Sequence, residues 1–214
     1  MRTEFHRQLD DLTANLAAMC ELAGAGMAAA TAALLDDDPT AAAVAVAQLD
    51  RLGPTYHDVN RRALALLARQ SPVAGDLRTV VSAVHIAASA ERMGALAEHV
   101  ARTVDRRHPE PVLPAAVRAR FAEMGSVADG IAAAAADMVA HEDPDGAARI
   151  RQAQERMEAL HRGLFGLVQG PEWDHGVGTA VDIVLLGRFY GRFADHAERI
   201  ARRVRFRSTG ALSA

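Results

Sequence analysis

The residues of this chain best suited to chemistry are carboxylates and histidines at helical spacing. Glu91, Ala95, Glu98 and Arg102 fall on one helical stripe; Gly191, Asp195, Glu198 and Arg202 fall on another. Carboxylates four residues apart on a helix project to the same side and share a hard cation when neighbouring helices add oxygens. Each stripe keeps only half of such a pair, because Ala95 follows Glu91 and Gly191 precedes Asp195. Without a second carboxylate the plainer expectation is a solvated charged face, with Glu98→Arg102 and Glu198→Arg202 as i,i+4 pairs in the favourable orientation. Glu158-Ala159-Leu160-His161 and Glu172-Trp173-Asp174-His175 both read Glu-x-x-His, the spacing of di-iron carboxylate bundles. Such a centre needs the motif on two separate helices and a Glu from each of two others. Here Gly170-Pro171 separates the two motifs by one short break. His161 is therefore expected on a helix surface, and His175 in the first turn of the next helix.

Breakers mark the elements that would position these groups. The sequence predicts six long helices: 3–35, 40–69, 74–106, 114–141, 145–168 and 173–207, separated by Asp- and Pro-rich joints and by Gly170-Pro171. Gly53-Pro54 falls inside the second helix and predicts a kink or break there. Nothing alternates as a strand does. The third and sixth helices repeat one another one hundred residues apart: Arg92/Arg192, Ala97/Ala197, Glu98/Glu198, Ala101/Ala201, Arg102/Arg202 and Val104/Val204 match, and apolar Met93 corresponds to apolar Phe193. Matched polar and apolar positions at one register predict an internal duplication. The architecture expected is all-α, two tandem three-helix bundles of antiparallel helices related by a pseudo-twofold, with repeats at 1–108 and 109–214.

Composition narrows the function classes. The 214 residues carry a net charge of −3, so no general pull toward nucleic acid or an anionic membrane is expected. All 24 basic residues are arginine. The last helix is locally basic, and its arginines are expected to pair with local acids or to complement a helix C-terminus. The single cysteine, Cys20, forms no internal disulfide and has no zinc-ligand spacing around it; it reads as a small buried residue in a reducing compartment. No apolar run of about 20 residues stands out as a membrane span, and no signal-peptide pattern opens the chain, so a soluble cytoplasmic protein is expected. No phosphate-binding glycine loop or nucleophile elbow is present, and no enzyme is predicted.

Three stretches carry a resemblance to a known family: Gln70-Ser71-Pro72-Val73-Ala74-Gly75-Asp76-Leu77-Arg78, Glu91-Arg92-Met93-Gly94 and Arg192-Phe193-Ala194-Asp195-His196-Ala197. In order and spacing the chain resembles the PhoU family of phosphate-uptake regulators. The resemblance implies two three-helix repeats and a negative regulator of phosphate uptake and of the phosphate-starvation response. Such a protein acts by binding, between the ATPase of the phosphate ABC transporter and the sensor histidine kinase of a two-component system, and a homodimer is expected. It also implies iron, zinc or another divalent metal on Glu/Asp-x-x-x-Asp motifs. Carried onto this chain, the metal residues are Glu91, Glu158, Asp195 and His196, with His161 nearby; Gln154 with Glu158, and Leu49 with Gly53, stand where the middle helices would supply further acids. Asp76, Arg78, Arg92 and Arg192 are the candidates for partner contact; Asp76 could equally complement a helix N-terminus. The alternatives are a metal-dependent, di-iron-like helical-bundle enzyme and a helical oligomeric scaffold without phosphate specificity.

Overall fold

The computed structural model describes residues 2–141, 143 and 145–211, and among them the only regular elements are seven α-helices: α1 (Arg2–Asp36), α2 (Pro39–Leu49), α3 (Leu52–Gln70), α4 (Ala74–Arg107), α5 (Ala115–His141), α6 (Gly146–Val168) and α7 (Gly176–Thr209). The predicted second helix is two. Pro54 has no N–H to give the carbonyl of residue 50, and its ring would collide with that carbonyl, so the chain turns at Asp50-Arg51 and Pro54 falls in the first turn of α3. The start of α2 has a local cause as well. Asp37 ends α1 with φ 51°, and the Asp38 carboxylate accepts from the backbone N–H groups of Thr40 (2.8 Å) and Ala41 (3.0 Å), with Pro39 in the first turn.

Arginines close other helix ends. The last carbonyls of a helix lack intrahelical donors and attract cations. Arg118 donates to the Leu35 carbonyl and pairs with Asp37, closing α1. Arg207 donates to the Val139 carbonyl near the end of α5 (3.2 Å). Arg78 donates to the Arg207 carbonyl at the end of α7 (3.4 Å), just before Gly210, whose φ of 75° makes the left-handed cap.

α1, α2–α3 and α4 pack as one bundle, and α5, α6 and α7 as the other; α1 packs on α5 and α4 on α7 to join them. Arg106 meets Asp182 while Arg78 meets Arg207, so α4 and α7 run antiparallel. The equivalent positions Gly94 and Ala194 are both buried, and a Cβ on Gly94 would run into Leu52, at the start of α3. The apolar faces of the repeated helices turn inward: Met93, Val100 and Val104 on α4 and Leu186, Phe193, Ala197, Ile200 and Val204 on α7 are buried, with Leu96 and Phe189 partly so. α1 differs from expectation in one respect. By length and composition it could cross a membrane, but its apolar face, including Leu12, Leu16, Met19, Met27 and Leu34, is buried against the other helices, as in a core helix.

Candidate functional site

The stripe opposite the apolar face of α7 meets α6. There Gln154 Nε2 donates to Asp195 Oδ1 (3.4 Å), and Arg192 stands 3.5 Å from Asp195 Oδ2. The positions that the family resemblance assigns to metal-binding acids on α6 and α7 thus do face each other, but as an amide and a carboxylate with an arginine alongside. Gly191 also has a role. A Cβ there would lie 3.9 Å from His161 Nδ1, and one at Gly187 would lie 2.8 Å from His161 Cδ2 and 2.5 Å from Leu164. His161 is therefore not on an open helix surface, as its sequence position suggested. It is tucked against the glycines of α7, edge-on to Phe165, with Nε2 buried and unpartnered. Burial first, and then the Arg188 cation, hold its pKa below the ordinary histidine value.

The other proposed ligands lie apart from this contact. Glu158, four residues beyond Gln154 on α6, is exposed; Glu91 is half-buried on α4. His196 is buried on α7 at 8% exposure, with Nδ1 unpartnered. Its pKa is pushed down to about 4, chiefly by burial, next by the Arg199 and Arg192 cations, against a smaller upward pull from Asp195. Among the described residues no three His, Cys, Asp or Glu side chains are grouped to hold a metal ion, so Glu91, Glu158, Asp195 and His196 do not form one ligand set. The physical reason is visible position by position: Ala95, Gln154 and Gly191 stand where further carboxylates would be needed, Arg192 lies beside Asp195, and Leu49, at the α2 position, is a buried core residue turned toward Gly26. The second Glu-x-x-His motif does not complete a centre either, because His175 caps α7 beside Trp173 and lies 3.4 Å from Asp174.

Of the partner-contact candidates, Arg78 has the capping contact described above. Asp76 is half-buried in the first turn of α4, where a carboxylate suits the helix N-terminus. Arg192 is engaged by Asp195. Arg92 is exposed and has no ion pair among the described residues. The arginines of α7 follow the expected local pairing only in part. Arg202 pairs with Glu198 at 3.5 Å, but Arg199 and Arg203 have no acid partner among the described residues. They turn to α4, a convergence that spacing within one helix could not reveal. A separate apolar groove is lined by Val168, Trp173, Val177, Val181 and Leu185 at the start of α7, with Val177 80% exposed.

Comparison with known proteins places this geometry in a family. The PhoU domain model matches residues 16–104 and again 121–204. The chain is 48% identical over 212 residues to the phosphate-specific transport system accessory protein PhoU homolog 1 of Mycobacterium leprae, covering 99% of this chain and 96% of that one. It is equally similar, 48% over 212 residues, to PhoU homolog 2 of Mycobacterium tuberculosis, covering 99% of this chain and all (100%) of the other. Among solved structures, PhoU from Pseudomonas aeruginosa superposes with a TM-score of 0.84 at 24% identity, covering 97% of this chain and 100% of that one. The phosphate transport system regulatory protein PhoU from Streptococcus pneumoniae gives 0.87 at 21% identity, covering 98% and 99%. At those identities the two structures speak for the fold, while the family model and the mycobacterial relatives, over nearly the whole length, speak for descent. The chain belongs to the PhoU family.

Proposed function

We propose that this chain is an accessory protein of a phosphate-specific transport system, a cytoplasmic negative regulator of phosphate uptake and of the phosphate-starvation response. The observation that carries the reading is the match, at 48% identity and over 99% of the chain, to proteins that bear the accessory-protein name. The regulator works by binding. Its partners are the ATPase of the phosphate ABC transporter and the sensor histidine kinase of a two-component system, and it works as a homodimer. Regulation requires that partner affinity differ between phosphate-replete and phosphate-starved complexes. Asp76 and Arg92 are the side chains we assign to partner contact; Arg78 and Arg192 act inside the molecule, on the end of α7 and on Asp195.

The side chains support a binding protein over an enzyme. Cys20 is fully buried and its thiol is pushed up to about 12, so it has no thiolate to offer as a nucleophile. Glu158 and His161, the better of the two di-iron-like motifs, part company on α6, one exposed and the other tucked under Gly187. A divalent metal would have to be held by fewer carboxylates than the family motif supplies.

The test is phosphate-starvation gene expression in a deletion strain grown in high phosphate, complemented with wild type or with Glu158→Ala/Asp195→Ala. Deletion is expected to derepress these genes and both proteins to restore repression. Rescue by wild type alone, with the double variant folded and abundant, would return the acidic face to the centre of the mechanism. Unchanged expression on deletion, in a strain without a second copy of the gene, would overturn the regulatory reading.

A further inference from the structure

The α4–α7 seam carries a second feature, farther along it from the stacked rings of His99 and Phe189 (5.1 Å). His85, Ser89 and Arg92 recur on α4 at spacings of four and three; His196, Arg199 and Arg203 recur on α7 at three and four. Because the helices are antiparallel, the two stripes face each other across one groove of about 360 Å³, which all six residues line. No carboxylate lines it. Asp195, the acid that acts on His196, is turned to Gln154 and Arg192. None of Arg92, Arg199 and Arg203 makes a side-chain hydrogen bond or ion pair with a described residue; the same holds for Arg51, Arg69, Arg151, Arg162, Arg188 and Arg205, but no three of those line one groove. In a chain with more acids than bases, three arginines converge here without one.

Two further observations set the groove apart. His196 is over nine-tenths buried where it lines the groove, and its Nδ1 is closed to solvent and lacks any partner. The groove is also absent from the other side of the pseudo-twofold. The positions one hundred residues away are Leu185, Phe189, Arg192, Leu96, His99 and Thr103. There the rings close on each other and Arg192 is neutralised by Asp195. The basic groove is therefore not a by-product of the duplication.

We propose that this groove binds a tetrahedral oxyanion of the phosphate class, held between Arg92 on α4 and Arg199 and Arg203 on α7, with Ser89 and His85 as further donors. Guanidinium forks match two oxygens of such an anion at once, and a hydroxyl adds a neutral donor. The groove has room for a phosphoryl group together with an attached organic moiety, so inorganic phosphate and a phosphomonoester share the chemistry. The proposal goes beyond the regulatory reading and does not depend on it, since it is tested on purified protein.

The experiment is calorimetric titration of the full chain with inorganic phosphate, sulfate and glycerol phosphate at constant ionic strength, with glycerol and chloride as controls. Saturable binding of phosphate and sulfate is expected, falling tenfold or more in Arg199→Gln/Arg203→Gln. It should be unchanged in Arg61→Gln, which alters an exposed arginine of α3. Glycerol phosphate binding tenfold more tightly than phosphate would identify the ligand as a phosphomonoester; equal affinity would identify the free anion. A second variant, Arg92→Gln, separates loss of charge from damage to α7, and circular dichroism melts confirm that each variant is folded. No saturable binding of any of the three anions by wild type, or binding undiminished in both groove variants, would overturn the proposal.

Discussion

At the scale of single residues, the groups most out of keeping with water are imidazoles among arginines. His196 faces Arg92 from α4 and Arg192, Arg199 and Asp195 from its own helix, and its pKa of about 4 in the fold compares with an ordinary 6.5. The folded state thus prefers the neutral ring. The stability this provides is complete above the ordinary value and is lost as the pH falls from about 6.5 through about 4, where folding must expel a proton that the unfolded chain retains. At roughly 1.4 kcal/mol per pKa unit, the loss between pH 7 and pH 4 is on the order of 2–3 kcal/mol. His161, beside Arg188, and His85, beside Arg203, are shifted in the same direction, chiefly by burial, and add to the trend. Urea unfolding at pH 7, 6, 5 and 4.5 is expected to show falling stability, and His196→Gln, which cannot take up a proton, is expected to flatten the profile. An identical slope in the variant would remove His196 as its source. The family stretch containing His196 was visible in the sequence. Its depressed pKa was not, because the largest cause is burial in the folded chain, to which the Arg199 and Arg192 cations of its own helix add.

At the scale of elements, helices α1, α4, α5 and α6 lie close to where proline, aspartate and glycine punctuation put them, since each signal acts on a neighbouring backbone group. The second predicted helix was split for an equally local reason, the missing N–H and the ring of Pro54. Contacts between elements were less legible. Tyr190 on α7 and Thr31 on α1 share a buried hydrogen bond of 2.7 Å across 159 residues of sequence, and Tyr190 also packs on Phe121 of α5, with ring centroids 5.9 Å apart. No periodicity within α7 marks Tyr190 as the residue that ties three helices together. Its removal separates the bond from the packing. Tyr190→Phe keeps the ring and leaves the Thr31 hydroxyl its second contact, the Met27 carbonyl at 2.7 Å, so the cost expected is about 0.5–1.5 kcal/mol. Tyr190→Ala leaves a cavity where a fully buried ring stood, at about 3–5 kcal/mol. Guanidinium unfolding of both variants checks the ratio. Equal losses would mean that the hydrogen bond, not the ring, holds α7 to α1.

For the whole molecule, the duplication read from α4 and α7 implied two like bundles, and the antiparallel seams fit that symmetry. The sequence could not say how closely the two bundles approach, because an alanine- and glycine-rich stripe is compatible with a tight seam or an open one. The α1–α5 seam is tight. A Cβ placed on Gly24 would lie 2.6 Å from the Ala132 Cβ, an atom fixed to its backbone, so the helices themselves must move apart to admit it. Gly130 on α5 has nothing within 4 Å of the same position. Both glycines sit inside helices, where alanine is intrinsically better by about 1 kcal/mol. Gly130→Ala should therefore stabilise by about 0.5–1 kcal/mol. Gly24→Ala has the same propensity gain set against about 1–3 kcal/mol of overpacking, and a net loss is expected. Adding Ala132→Gly to Gly24→Ala returns the space, so the pair should be more stable than the sum of the two single changes predicts, the mark of direct coupling across the seam. A Gly24→Ala change that costs nothing and does not couple to Ala132→Gly would show instead that the bundles can part at Gly24, and the fixed relation between the halves would then rest on α4 and α7.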